Sequence, residues 1–281
     1  MGSAVRRTSV AALAVATLTL VGGCGSSGSA DHAGDTHGDN ASGLRPGSAV
    51  NAVDARSLLT KASADLTSMR LTADVTGSPV GTLHMEGVER VKPSVAAQMA
   101  MSVGSQHVEV RMIGTTWYVQ VPAAAGLPGG KKWISMDLAE LGSLTGMDTS
   151  GMSDLLQDPA ASISKLSPYV TGGTYVGTGP VDGVEAKQYD FTVDVKGALH
   201  QLMPGGLPSA AAGQVPDTIK ESVWLDEQGR PVQLETAMGS LGTTTMHMSD
   251  FDAPVSVSAP PKDEVADMGQ LMKSIGGAAA G

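Results

Sequence analysis

The stretch SVAAQMAMSVGSQHVEVRMIGTTWYVQV, from Ser94 to Val121, decides the architecture. Val95, Ala97, Met99, Met101 and Val103 fall on one side of a two-residue period, while Ser94, Gln98 and Ser102 fall on the other with two alanines. Val108, Val110 and Met112 then alternate with His107, Glu109 and Arg111, and Trp117, Val119 and Val121 with Thr116, Tyr118 and Gln120. A period of two sends successive side chains to opposite sides of a sheet, so each segment predicts a strand with one dry and one wet face.

Working outward, the same reading predicts strands near Leu71–Thr76, Gly81–Val91, Trp133–Met136, Thr174–Gly177, Ala186–Val195, Glu221–Asp226, Val232–Met238 and Thr243–Phe251. Asp182-Gly183 and Glu227-Gln228-Gly229 supply hairpin chemistry, so consecutive strands are expected to pair antiparallel. Ala55, Leu58, Leu59, Ala62, Leu66 and Met69 recur at helical spacing and predict a helix that opens the folded domain. Short helical pieces are expected between Trp133 and Thr174, where Asp158-Pro159 reads as a helix start. Residues 199–216 read as an irregular insertion, and Val265, Met268, Met272 and Ile275 as a final helical face. About ten strands, all apolar on one side, must curl over something. The predicted fold class is α+β: a strongly curved antiparallel sheet, or half-barrel, with helices packed in its concave face.

The chain has 281 residues with one cysteine, 18 basic and 28 acidic residues, and a net charge of −10. Gly (36) and Pro (15) together stay below the roughly one-quarter typical of low-complexity chains. The acidic balance and the scattered cations speak against nucleic acid as a partner. A single cysteine excludes an intramolecular disulfide and the Cys-rich zinc frameworks. Arg6 and Arg7, the uncharged run Val10–Val21, and Gly22-Gly23 before Cys24 follow the plan of a secretory signal.

Four regions are expected: 1–23, a processed signal; 24–51, Cys24 followed by a flexible linker; 52–262, the folded domain; and 263–281, a short helix and tail. The linker is rich in Gly, Ser and Ala, and its reach is about 30 Å. Asp31, His32, Asp35, His37 and Asp39 within it read as solvated linker polarity, not as a metal site.

Leu20-Val-Gly-Gly-Cys24 resembles the bacterial lipobox, with Val21 where Leu is commoner. Asp154–Ala160 (DLLQDPA), Val181–Asp194 (VDGVEAKQYDFTVD), Trp224–Val232 (WLDEQGRPV) and Phe251–Val265 (FDAPVSVSAPPKDEV) extend the resemblance over most of the mature chain. Together they are similar to the actinobacterial lipoproteins of the LppX, LprA, LprF and LprG group, which have a LolA-like fold. The resemblance implies a half-open barrel around a greasy cavity and lipidation of Cys24. It implies anchoring on the extracytoplasmic face of the cell membrane, with membrane lipid or lipoglycan as cargo and an export transporter as a further partner.

The residues permit such an occupant on their own terms, and equally an ordinary core short of Phe. Met accounts for 15 residues while aromatics make up 3%, and flexible, polarizable thioethers suit apolar surfaces that meet ligands of varied shape. The candidate cavity residues are Val95, Met99, Met101, Val110, Met112, Trp117, Val119, Leu155, Tyr189, Phe191, Val223, Leu225, Met246 and Met248. No G-x-S-x-G elbow occurs, and His84, His107, His200 and His247 show no spacing that places them beside a serine or carboxylate. Gly126–Lys131 lacks phosphate-loop spacing. We therefore expect a non-enzymatic monomer with no metal and no cofactor that binds and carries acylated lipid. The alternative is an interaction or sensory lipoprotein that uses the same fold as a scaffold.

Overall fold

The computed structural model describes residues 44–63, 65–77, 81–104, 106–122, 126–145, 149–150, 153, 167–202, 215–237, 239 and 242–272. The expected signal, Cys24, the expected linker as far as residue 43, the expected helix start at Asp158-Pro159, Leu155, most of the 199–216 stretch and residues from 273 onward lie outside them.

The strands are β1 (Ala49–Val50), β2 (Ser68–Thr76), β3 (Leu83–Arg90), β4 (Ala96–Val103), β5 (Gln106–Ile113), β6 (Thr116–Gln120), β7 (Trp133–Asp137), β8 (Val170–Val181), β9 (Val184–Asp194), β10 (Thr218–Leu225), β11 (Pro231–Ala237), β12 (Thr243–Ser249) and β13 (Val265–Asp267). They form one curved, open sheet in the order β1-β8-β9-β10-β11-β12-β2-β3-β4-β5-β6-β7-β13. Two meanders, β2–β7 and β8–β12, therefore join edge to edge where β12 pairs with β2, Met246 standing opposite Ala73. The predicted Asp182-Gly183 turn is present: both residues have positive φ (49° and 82°), as a two-residue hairpin of this hand requires.

Helices α1 (Ala52–Ser63), α2 (Leu138–Thr145) and α3 (Val195–Leu202) add the longer helices of the described α+β framework. Asn51 caps α1, its Oδ1 accepting from the Val53 and Asp54 amides at 2.9 and 3.0 Å. Ala55, Ala62, Leu58 and Leu59 of α1 pack against Val170, Tyr175, Tyr189, Phe191, Val223 and Leu225. Asp137 caps α2 by accepting from the Ala139 amide at 2.9 Å. Its carboxyl is held below the usual range, first by the Thr115 hydroxyl.

Several boundaries differ from expectation. The opening helix stops at Ser63, and Met69, expected on it, belongs to β2, where it is fully buried. Apolar spacing alone ran two adjoining elements together there. The sheet begins at Ala49, ahead of residue 52, because Ala49 and Val50 pair with Thr174 and Gly173 of β8. Residues 199–202, read as irregular, finish α3, whose Ala198 is buried and whose Gly197 amide donates to Asp194 Oδ1 at 3.0 Å. Val265 opens β13, which runs parallel to β7, and a short helix follows at residues 268–272. All other strand pairs are antiparallel, as expected.

Between β12 and β13 the chain forms a strap. Pro254, Pro260 and Pro261 cannot donate to a ladder, and side chains fasten the segment alongside two backbone bonds, from the Asp252 amide to the Ser68 carbonyl and from the Lys132 amide to the Glu264 carbonyl, both at 2.9 Å. Asp252 accepts from the Thr67 amide and hydroxyl, Arg111 Nη1 donates to the Ser258 carbonyl at 3.0 Å, and Lys132 Nζ lies 2.6 Å from Glu264. Arg111 alternates with Val110 and Met112, so the strap crosses the face opposite to theirs. There the Arg111 guanidinium also lies 4.9 Å from the Trp133 ring centroid.

Candidate functional site

Directly paired residues of antiparallel strands share a face, so the register shows which side chains meet. Tyr175, Tyr189, Val223, Leu234, Met246, Ala73, Met85, Met101 and Val108 are successive partners from β8 to β5. Two residues along the strands, Met248, Leu71, Gly87, Met99, Val110, Val119 and Ile134 form a second row. Beyond it lie Met69, Glu89, Ala97, Met112, Trp117 and Met136. On the other side of the first row are Phe191, Glu221, Thr236, Thr244, Val75 and Leu83.

The candidates Met99, Met101, Val110, Met112, Trp117, Val119, Tyr189, Phe191, Val223, Met246 and Met248 therefore occupy one face. Leu225 joins it through the cluster it shares with Val223 and Tyr189. Val95 is buried just ahead of β4, and Leu155 lies outside the described residues.

This face is sealed at one end and partly open at the other. Tyr189 (2% exposed), Phe191 (1%) and Val223 (1%) are closed over beside α1. Across β4 to β7, Met99, Met101, Val108, Met112, Trp117, Val119, Ile134 and Met136 all keep accessible surface. Burying such surface against hydrocarbon gains about 25 cal/mol per Å², so the open part of the face has an affinity for any apolar guest that fits it.

Two carboxyl groups stand in this apolar field. Glu89 and Glu221 retain some accessible surface yet are enclosed by protein, and burial pushes each from the ordinary 4.5 up to about 7. No charge or hydrogen bond offsets that burial. The same face carries two buried polar atoms with no partner, Trp117 Nε1 and Thr244 Oγ1. Trp117 is among the candidates named from the sequence, whereas the two glutamates and Thr244 are not, although one signal was there. Leu83-x-Met85-x-Gly87-x-Glu89 and Ile219-x-Glu221-x-Val223-x-Leu225 each place an acid in the apolar phase.

On the opposite face the histidines overturn an expectation. His84 Nδ1 lies 2.8 Å from Asp74 Oδ1, His107 Nδ1 2.8 Å from Ser102 Oγ, and His247 Nδ1 2.7 Å from Asp182 Oδ2. Cross-strand pairing, which sequence spacing does not display, brings these residues together: Asp74 faces His84, and Ser102 faces His107. The His84–Asp74 pair is about half exposed, with side chains at 47% and 49%. No group of three His, Cys, Asp or Glu suited to a metal ion occurs among the described residues.

The chain is similar to mycobacterial LppX and LprF. The crystal structure of the lipoprotein LppX from Mycobacterium tuberculosis is 20% identical, with a TM-score of 0.47, over 69% of this chain and 91% of LppX. LprF from Mycobacterium bovis is 15% identical, with a TM-score of 0.48, over 75% of this chain and 99% of LprF. A LolA superfamily protein from Nitrosomonas europaea is 10% identical, with a TM-score of 0.29, over 74% of this chain and 94% of that protein. No protein-family model and no curated protein matches the chain. Since LppX and LprF lie at such low identity, the functional reading rests on the apolar face itself.

Proposed function

We propose that this protein is a membrane-tethered, non-enzymatic carrier that shields the acyl chains of a lipid or lipoglycan from water as it crosses the cell envelope. The observation that carries the reading is the Met-rich apolar face, continuous across the sheet and still accessible from β4 to β7. Each methylene moved from water onto such a surface gains about 0.8 kcal/mol, so a long chain is held without charged or catalytic groups. On this reading the helices close over the concave side of the sheet, and the candidate residues of the apolar face line the space between.

The tether is a diacylated Cys24. Two or more acyl chains anchor stably where one does not, and the linker then places the folded domain about 30 Å from the bilayer. No helix among the described residues is long and apolar enough to cross a membrane. An export transporter would receive or supply the cargo.

Native mass spectrometry of the chain purified with Cys24→Ser, combined with uptake of a fluorescent fatty-acyl probe, tests the reading. Copurifying lipid and saturable uptake support it. An apolar face that takes up neither leaves an anchored scaffold as the function.

A further inference from the structure

Glu221, Thr236 and Thr244 are neighbours on three consecutive strands, β10, β11 and β12, paired directly in register. Strands lie about 4.8 Å apart, so the three polar groups form a strip about 10 Å long. The strip is bordered by Phe191 on one side and Val75 on the other, with Val223, Leu234 and Met246 in the next row. Thr244 is only 4% exposed, and its hydroxyl has no partner. A buried polar group without a hydrogen bond is rare in a native protein and calls for an explanation in strain, function or solvent.

We propose that Glu221, Thr236 and Thr244 form a hydrogen-bonding subsite sunk in the apolar face, which takes an ester carbonyl of an acylated guest. This rests on the carrier reading and narrows it. The orphan at Thr244 has a proton to donate, and a carboxyl enclosed as Glu221 is favours its neutral form, which also donates. An ester carbonyl accepts from both and brings no charge into the apolar surroundings. A phosphate would confront a carboxyl with no cation in the strip. A bare hydrocarbon would leave every donor unsatisfied. The guest is thus an ester-linked acyl lipid whose linkage, not only its tails, enters the protein.

The test compares two probes on the chain carrying Cys24→Ser: a pyrene-labelled diacylglycerol, which has ester carbonyls, and a pyrene-labelled alkane of equal chain length, which has none. Thr244→Val and Glu221→Leu are expected to weaken diacylglycerol binding by about tenfold, the loss of a good hydrogen bond, and to leave alkane binding unchanged. Glu221→Gln, which keeps a donor and an acceptor, should retain most of the affinity. Thr72→Val, on the opposite face, should alter neither probe, and unchanged alkane uptake certifies that each variant is folded.

The subsite is overturned if the first two variants bind diacylglycerol as the parent does, as an ordered water satisfying the strip would allow. It is also overturned if they lose both probes alike, or if the parent takes the alkane and refuses the diacylglycerol; in that last case the carrier reading stands. A parent that binds neither probe removes both.

Discussion

Glu89 on β3 and Glu221 on β10 stand on the same apolar face of one sheet, four strands apart and toward opposite ends of it. Each is raised from 4.5 to about 7 by burial alone. Between those pH values the folded protein holds protons that the unfolded chain has released. The contribution of these two groups to stability is therefore greatest below pH 4.5, falls as pH rises, and reaches its low plateau above pH 7. The linkage amounts to roughly 3 kcal/mol per group. Urea unfolding should show Glu89→Gln and Glu221→Gln to be more stable than the parent at pH 8, with the gap closing toward pH 4.5. An unchanged pH profile in the double variant would contradict the burial of these acids.

Asp226 is the buried charge of the β10–β11 hairpin. Its side chain is 1% exposed and accepts from the Arg230 amide and Nε, both at 2.8 Å. The same guanidinium lies 4.7 Å from the Phe251 ring centroid and so joins the hairpin to the end of β12. Arg230→Ala strands a desolvated carboxylate and should cost about 3 kcal/mol in urea unfolding. Asp226→Asn should cost less, since no charge is left behind. Equal losses would refute this ordering.

Gly197 in α3 lies against Asp194 and Tyr169, and a Cβ built on it would meet the Asp194 carboxylate first and come within 2.6 Å of the tyrosine ring. Alanine is otherwise the better helix former. Gly197→Ala should therefore destabilise the protein by about 1–3 kcal/mol through overpacking. A neutral or stabilising result in thermal unfolding would show that Tyr169 yields.

Replacement of Cys24 by Ser should move the protein from the membrane fraction to the soluble fraction of fractionated cells, with the folded domain unaltered in circular dichroism. Retention in the membrane fraction would mean that something other than acylation holds it there.

The strands were legible because alternation survives in short segments: the dry side of Ser94–Val121 in sequence is the apolar face in space, and Asp182-Gly183 turns where its composition predicts. The join of β12 to β2 was not legible, for it pairs residues some 170 positions apart by edge complementarity alone. β1 and β13 escaped because a strand of two or three residues has no period to read. The acids at 89 and 221 kept the apolar phase but broke the apolar pattern, and each reads as a solvated charge until the register fixes its face. The histidine pairs show the same limit: His247 of β12 and Asp182 in the β8–β9 turn are 65 positions apart, and only the folded sheet brings them together.

The chain has three tryptophans. Trp117 pairs with Met112 and Met136 on the apolar face, whereas Trp133 pairs with Gln120 and Trp224 with Gln188 and Gln233 on the other. A brominated acyl chain quenches indole fluorescence at contact, so it distinguishes the two faces directly. If acyl chains lie along the apolar face, titrating a brominated fatty-acyl lipid into the purified protein quenches its emission saturably, and Trp117→Phe abolishes that quenching while Trp224→Phe preserves it. Saturable quenching that survives Trp117→Phe, or none at all in the parent protein, would contradict the account.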